Sequence, residues 1–165
     1  MVLGFDLVNM QGNMVRKAWD ALSPIPGGKA IFSKVIGQLA PYTGTIDARV
    51  IELGPGYARV QMRDRRGVRN HLQSVHAIAL LNLAEVSSGL AINYGIADDA
   101  RGILAGLSIE YLKKARGLLT AETRCEIPDS SERAEYTVGA DIMNTAGEVV
   151  ARAAARWLIG PKRRA

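Results

Sequence analysis

A single carboxylate interrupts the most apolar stretch of the chain. Glu85 lies in the middle of a segment from Val75 to about Tyr94 that is apolar on nearly every side of a helix. A charged group is expensive to desolvate, so a buried carboxyl group without a partner is rare and has a raised pKa. Glu85 therefore has the character of a general base or a nucleophile tuned by burial.

Small and polar residues accompany this glutamate along one face of the predicted helix. Asn82, Glu85, Gly89 and Asn93 occupy the positions i, i+3, i+7 and i+11. A narrow polar stripe on an apolar cylinder indicates that something polar faces it. Two interpretations are open: the stripe lines a subunit interface or a strand turn through ordinary hydrogen bonds, or it belongs to a catalytic site.

The N-terminal end of the same helix offers hydrogen-bond donors. Polar side chains gather there, from Asn70, Gln73, Ser74 and His76, and the first N–H groups of a helix have no acceptor within it. The helix dipole makes this end partly positive, which suits a carbonyl oxygen that becomes an oxyanion. His76 also fits a helix-start residue and His71 a loop residue, so neither histidine alone indicates catalysis.

Hydrophobic periodicity predicts the elements that must position these groups. The expected order is two helices (about 8–22 and 31–39), a hairpin of two strands beginning near residue 42, the long helix, and four strands centred on 103–111, 118–127, 134–142 and 149–157. Because an all-round apolar helix cannot stay in water, the six-stranded antiparallel sheet should curl around it in a two-layer α+β domain. Pairing with a second copy would then cover the remaining edge and face.

These residues and their order resemble the hotdog-fold thioesterase superfamily, particularly its phenylacetate-type branch and a related group of uncharacterised acyl-CoA thioesterases. The family motif is an Asn, a His six residues later, and an Asp or Glu nine residues after that His, within the central helix. Asn70, His76 and Glu85 match this spacing, and the order of elements between residues 42 and 157 matches as well. Where many relatives have Gly-Gly after the histidine, this chain has Ala77-Ile78, which keeps the backbone N–H and adds the bulk of Ile78.

The resemblance implies a fold, a reaction and a set of site residues. The fold is a hotdog: an antiparallel sheet of about six strands wrapped around a long central helix, here with N-terminal helices. The reaction is hydrolysis of the thioester of an acyl-CoA, or of an acyl carrier protein, to free acid and thiol, with no cofactor and no metal. The implied catalytic residues are Glu85, Asn70, His76 and Ala77, and the implied substrate-binding residues are Gln73, Ile78, Asn82, Ser88, Lys113, Lys114 and Arg116.

Helix geometry predicts that one chain cannot complete this site. A rise of ~1.5 Å per residue separates Ala77 from Glu85 by roughly 12 Å, which is too far for both to touch one reacting carbonyl. Two antiparallel central helices related by a two-fold axis would place Glu85 of one chain beside the Ala77 N–H of the other. We therefore expect a homodimer, or a tetramer of two dimers. The Ala77 N–H, with Asn70 and His76 nearby, would polarise the thioester carbonyl, and Glu85 would activate water or attack directly.

Composition bounds the remaining possibilities. The 165 residues, 48% hydrophobic and 22% charged, indicate a single domain, with an N-terminal helical segment (1–41), a core (42–159) and a basic tail (160–165). One cysteine, Cys125, cannot form an internal disulfide, and with two histidines it cannot build a zinc finger. The N-terminus lacks the basic start of a signal peptide, and polar residues interrupt the longest apolar run. We therefore expect a cytoplasmic protein without a membrane span.

The net charge of +5 calls for an anionic partner. Basic residues form short, separated clusters at 63–69, 113–116 and 162–164, which are either solvated turns or a rim that holds the phosphates of a nucleotide. Few aromatic residues accompany these charges and no recognition motif is visible, so we expect no nucleic-acid partner. A non-catalytic acyl-CoA-binding module is one alternative to a hydrolase, and a hydratase on the same scaffold, which would use His76 with Glu85, is another.

Overall fold

A computed structural model describes residues 13–162 of the chain. Its helices are α1 (Met14–Leu22), α2 (Gly28–Leu39), α3 (Pro41–Gly44) and α4 (Ala77–Gly95), with a 3₁₀ turn at Arg66–Val68. Its strands are β1 (Arg49–Gly54), β2 (Tyr57–Arg63), β3 (Ala100–Tyr111), β4 (Leu118–Arg124), β5 (Ala134–Met143) and β6 (Val149–Pro161). The predicted order of helices, two strands, one long helix and four strands is confirmed.

The strands form one antiparallel sheet in the order β1-β2-β4-β5-β6-β3, and α4 packs against all six of them. Alternate residues of each strand point at the helix, as the period of two requires. Val60, Leu119, Ile142 and Val150 are fully buried there. The predicted two-layer α+β architecture, a sheet that curls around a buried helix, is therefore the observed one.

Helix α4 is long and apolar enough to cross a membrane by length and composition alone, but 67% of its most apolar window is buried inside the fold. Its surroundings explain that composition, because the sheet covers the helix on most sides. The two buried serine hydroxyls on its covered side have partners. The Ser87 hydroxyl, for example, lies 2.8 Å from the hydroxyl of Thr123 on β4, as buried polar groups require.

The N-terminal helices close the open end of this core. Trp19 of α1 and Phe32 of α2 pack edge to face, with ring centroids 5.1 Å apart. Asn13 caps α1 through its side-chain oxygen and donates its side-chain amide to the carbonyls of Asn93 (2.6 Å), Tyr94 and Ile96 at the end of α4. Carbonyls at a helix end lack partners inside the helix, so one asparagine satisfies the ends of two helices.

Several observed element boundaries differ from the predicted ones. The alternating pattern expected from Tyr42 begins only at Arg49, because Pro41 starts the short helix α3 instead. Strand β6 extends to Pro161, so residues 160 and 161 belong to the sheet and not to a tail. The predicted start of the first helix at Val8 and the last three residues of the predicted basic tail lie outside the described residues.

Gly89 on α4 gives a test of the core packing. A Cβ atom added there would lie 2.9 Å from the Cη2 atom of Trp157 on β6, and the indole is buried and hydrogen-bonded. We therefore expect Gly89→Ala to lower the free energy of unfolding by about 1–3 kcal/mol, the usual cost of overpacking. Gly139→Ala on β5 is the control, since its Cβ would meet only one atom, at 4.0 Å. Equal denaturation midpoints for the two variants would contradict this account.

Candidate active site

The open side of α4 is a stripe near its N-terminus. Ala77, Ile78, Leu81 and Glu85 are exposed or half-buried, whereas the helix residues between them are buried. We call these four residues the open stripe. They follow i, i+1, i+4 and i+8, so they share one side of the helix.

The open stripe is not the polar stripe that the sequence predicts. Gly89 faces the indole of Trp157 inside the fold. Asn82 is buried and donates its amide to the carbonyl of Tyr42, while Asn93 donates to the carbonyl of Gly89 on its own helix. The four residues share one face of α4, as their spacing predicts, but contacts within the fold occupy Asn82, Gly89 and Asn93, so Glu85 is the one member of the predicted stripe that also belongs to the open stripe.

Ser88 also lies in the core rather than on the open stripe. Its hydroxyl accepts a hydrogen bond from the indole N–H of Trp157 (3.2 Å) and donates one to the carbonyl of Glu85 (3.2 Å). Both hydrogen-bonding functions are thus used within the chain. The structure does not bring Ser88 together with the other predicted site residues.

Glu85 keeps the character that its sequence context predicts. It is half-buried in the open stripe, and its carboxylate has no hydrogen bond or ion pair within residues 13–162. Burial raises the pKa of Glu85 above the ordinary glutamate value, with no neighbouring charge to oppose it. A carboxylate of raised basicity at an accessible position is the arrangement that proton abstraction needs.

The start of α4 holds a histidine and an unused backbone donor. His76 is the N-cap residue, and its Nδ1 atom accepts the N–H of Ile78 at 3.0 Å. The neutral imidazole therefore carries its proton on Nε2. The N–H of Ala77, the first residue of the helix, has no acceptor in the part of the chain that the structure describes. This is the donor expected at a helix N-terminus.

The loop before α4 holds Asn70 in one orientation. Its side-chain oxygen accepts three hydrogen bonds, from the N–H of Leu72 and from the N–H and the hydroxyl of Ser74. Because the oxygen is fully used, the Asn70 side-chain amide is left as the donor. Gln73, in the same loop, has a φ of 56° and is exposed.

The comparisons with known proteins agree with this architecture. A family model described as a domain of unknown function (DUF4442) matches residues 28–159. The chain belongs to this family. Comparison with the curated proteins gives no match.

Solved structures share the fold of this DUF4442 chain. A crystallised genomics target is 33% identical over 89% of this chain and 98% of its own, with a TM-score of 0.78. A protein of unknown function from Pseudomonas aeruginosa, described as a probable thioesterase, is 23% identical over 83% and 97% of the two chains, with a TM-score of 0.69. A thioesterase from Haemophilus influenzae is 13% identical over 79% and 92%, with a TM-score of 0.68. The chain therefore has the hotdog fold that the sequence predicts.

Basic side chains border the start of α4 in the DUF4442 chain. The turn after β3 carries the predicted residues Lys113, Lys114 and Arg116, all exposed. Lys113 pairs with Glu148, and Arg116 donates to the backbone carbonyl of Gln73 in the loop before α4. The structure thus joins the turn after β3 to the loop that leads into α4, which the sequence leaves far apart.

A shallow cavity opens beside this helix start, with a volume of about 290 Å³. Its lining includes Tyr42 from α3, His76, and Ile78 and Asn82 from α4. Three of the predicted site residues therefore share one recess. Within residues 13–162 no group of three or more His, Cys, Asp or Glu side chains is placed to hold a metal ion.

Asp64 supports the loop before α4, although no local sequence pattern indicates this role. Its carboxylate accepts hydrogen bonds from the Arg69 guanidinium (2.6 Å) and from the N–H of Gly117 (3.1 Å). It thereby ties the loop before α4 to the turn before β4. In the sequence it looks like a solvated loop charge, because Gly117 is distant along the chain and only the fold brings it near.

The contacts of Asp64 lead to a prediction about how stability depends on pH. The hydrogen bond from Arg69 holds the pKa of Asp64 below its ordinary value, so its contribution to stability is present above the unfolded-state pKa and is lost as pH falls through the folded-state pKa. We expect Asp64→Asn to lower the free energy of unfolding by about 1–2 kcal/mol at pH 7. Urea denaturation should show this difference closing in acid. The control is Asp129→Asn, at an exposed residue without a described partner, which should change neither the free energy of unfolding nor its pH dependence. A loss of stability in Asp64→Asn that is the same at every pH would contradict the assignment.

Proposed function

We propose that this protein hydrolyses the thioester of an acyl-CoA, or of an acyl carrier protein, to a free acid and a thiol. The observation that carries the proposal is Glu85, a half-buried carboxylate of raised pKa without a partner in the described chain, on the same open stripe as the free N–H of Ala77. The hotdog relatives described as thioesterases support it.

The proposed chemistry uses both groups. The N–H of Ala77 donates to the thioester oxygen and stabilises the negative charge that develops there, with Asn70 and His76 as further donors. Glu85 takes a proton from water as the water oxygen bonds to the carbonyl carbon. The tetrahedral intermediate collapses, the C–S bond breaks, and the thiolate takes up a proton to leave as the thiol. Direct attack by the Glu85 carboxylate, through an anhydride that water then hydrolyses, is the second route.

The site requires two copies of the chain. Helix geometry separates Ala77 from Glu85 by roughly 12 Å within one chain, so the partner's helix must supply one of the two groups. Strand β3 lies at the edge of the sheet, with Ile103 45% and Tyr111 48% exposed. A long apolar edge of this kind favours pairing with another chain. We infer a two-fold homodimer, alone or as half of a tetramer, in the cytoplasm.

We propose that the remaining predicted residues contact the substrate around these two groups. The acyl group lies along the open stripe and the recess beside it, and the nucleotide phosphates of the CoA moiety lie against the exposed basic turn. The residues proposed to contact substrate are Gln73, Ile78, Asn82, Ser88, Lys113, Lys114 and Arg116. Of these, Asn82 and Ser88 are buried in the free chain, so they contact substrate only if the helix surroundings adjust.

A thiol-release assay with short, long and aromatic acyl-CoAs tests the proposal, with light scattering to determine the number of chains. We expect free thiol from at least one class of substrate and a dimer or tetramer. Binding without thiol release would instead favour a non-catalytic acyl-CoA-binding module. The observation in favour of that alternative is Ile78, which is 45% exposed and directly follows the proposed oxyanion donor, where many relatives have glycine.

A further inference from the structure

Tyr111 connects the end of β3 to the start of α4. Its hydroxyl donates a hydrogen bond to the backbone carbonyl of Ala77 at 3.0 Å. A backbone carbonyl oxygen has two lone pairs, so this bond is compatible with the ordinary helical bond to the same oxygen. A tyrosine hydroxyl is protonated at neutral pH and can therefore donate this bond.

The same peptide unit is held from its other side. The carbonyl of Ala77 and the N–H of Ile78 belong to one planar group, and that N–H donates to Nδ1 of His76 at 3.0 Å. Tyr111 and His76 therefore grip the Ala77–Ile78 peptide unit at both of its polar atoms. We call this arrangement the peptide clamp.

The free N–H of Ala77 belongs to the preceding peptide unit, His76–Ala77, which joins the clamp at the Ala77 Cα atom. The carbonyl of that same unit accepts from the N–H of Leu80 (3.1 Å), and the unit before it is held by the N–H of His76, which donates to the carbonyl of Val68 (2.7 Å). The clamp thus holds the unit that follows the Ala77 N–H, so the backbone is fixed on both sides of this donor. A donor that is already oriented loses no free energy to reorganisation when charge develops on its acceptor.

We propose that Tyr111 is a positioning residue: through the peptide clamp its hydroxyl holds the Ala77 N–H in the direction that an oxyanion requires. The inference rests on the proposed thioester hydrolysis and extends it to a residue that touches no reacting atom. Its sequence position at the end of an edge strand gives no sign of this role, because the contact to Ala77 arises only when β3 lies beside α4.

The test is Tyr111→Phe in the full-length protein, which removes one hydroxyl and keeps the ring. We expect kcat to fall by about tenfold, as modest misplacement of a catalytic group does, with KM for acyl-CoA within twofold of wild type. Tyr136→Phe is the matched control, since Tyr136 is half-buried on β5 and its hydroxyl has no partner in the described chain. An unchanged kcat in Tyr111→Phe, beside active wild-type protein, overturns the inference and leaves the proposed function standing.

A second measurement keeps the two ideas separable. Hydrogen exchange at the Ile78 amide reports the clamp directly, and we expect it to be about tenfold faster in Tyr111→Phe than in wild type or Tyr136→Phe. If wild-type protein hydrolyses no thioester, the proposed function fails and this exchange rate decides whether the clamp exists. If the exchange rate of the Ile78 amide is unchanged in Tyr111→Phe, the clamp does not exist, whatever the activity. If the exchange rate rises but KM changes and kcat does not, Tyr111 has no positioning role.

Discussion

Glu85→Gln should reduce thioester hydrolysis by about a hundredfold to ten-thousandfold, the contribution typical of a general base. The amide is nearly the same size as the carboxylate but can neither take the proton of the attacking water nor act as a nucleophile. The loss should appear in kcat, measured by thiol release at saturating acyl-CoA, while light scattering gives the same number of chains as for wild type. Glu126→Gln, an exposed residue without a described partner, is the control and should keep full activity.

The same substitution should make the protein more stable at neutral pH. Since burial raises the pKa of Glu85, the folded state binds this proton more tightly than the unfolded state does, and the carboxylate destabilises the folded protein above the folded-state pKa. Below the unfolded-state pKa the penalty disappears. Urea denaturation of Glu85→Gln should therefore show an advantage over wild type at pH 7 that vanishes in acid. Active Glu85→Gln protein, or a stability advantage that grows in acid, would refute the assignment.

Ala77→Pro should lower kcat by about a hundredfold to a thousandfold, the effect of losing one oxyanion donor. Proline removes the Ala77 N–H and little else. The first position of a helix tolerates proline, and His76 before it has φ −64° and ψ 141°, the extended conformation that a residue before proline prefers. Circular dichroism should give a melting temperature close to that of wild type.

Ala77→Gly is the matched control because it keeps the N–H. Glycine costs up to about 1 kcal/mol in a helix, so this variant should melt slightly earlier and retain turnover, the reverse of the proline variant. If proline and glycine reduce kcat equally, the backbone donor at Ala77 has no part in the reaction.

Much of the fold could be predicted because its signals are local. The all-round apolar segment that became α4 and the alternating runs that became β2 and β4–β6 each follow from a periodicity within a few residues. Tyr42 shows the limit of this reasoning. The alternating pattern there is real, but Pro41 favours the first position of a helix, and the strand starts later.

The open side of α4 could not be predicted from sequence. A helix that is apolar all round has no face that its composition marks as exposed. Tertiary packing, of Trp157 against Gly89 and of Tyr42 beside Asn82, determines which face stays open. Glu85 is conspicuous because it is a carboxylate in an apolar sequence. Tyr111 and Asp64 have no such local signal, because their partners are distant along the chain.

The position of β3 at the sheet edge has a consequence for biosynthesis. Its partner within the chain is β6, the last of the six strands in chain order. Until Val149 and the residues after it have emerged, neither edge of β3 has a partner strand, and the apolar side chains of Ile103 and Leu107 lie on this unpaired strand. Such strands are prone to aggregate while they wait for a distant partner. We therefore expect chains that stop before Val149 to accumulate as insoluble material rather than as a smaller folded protein.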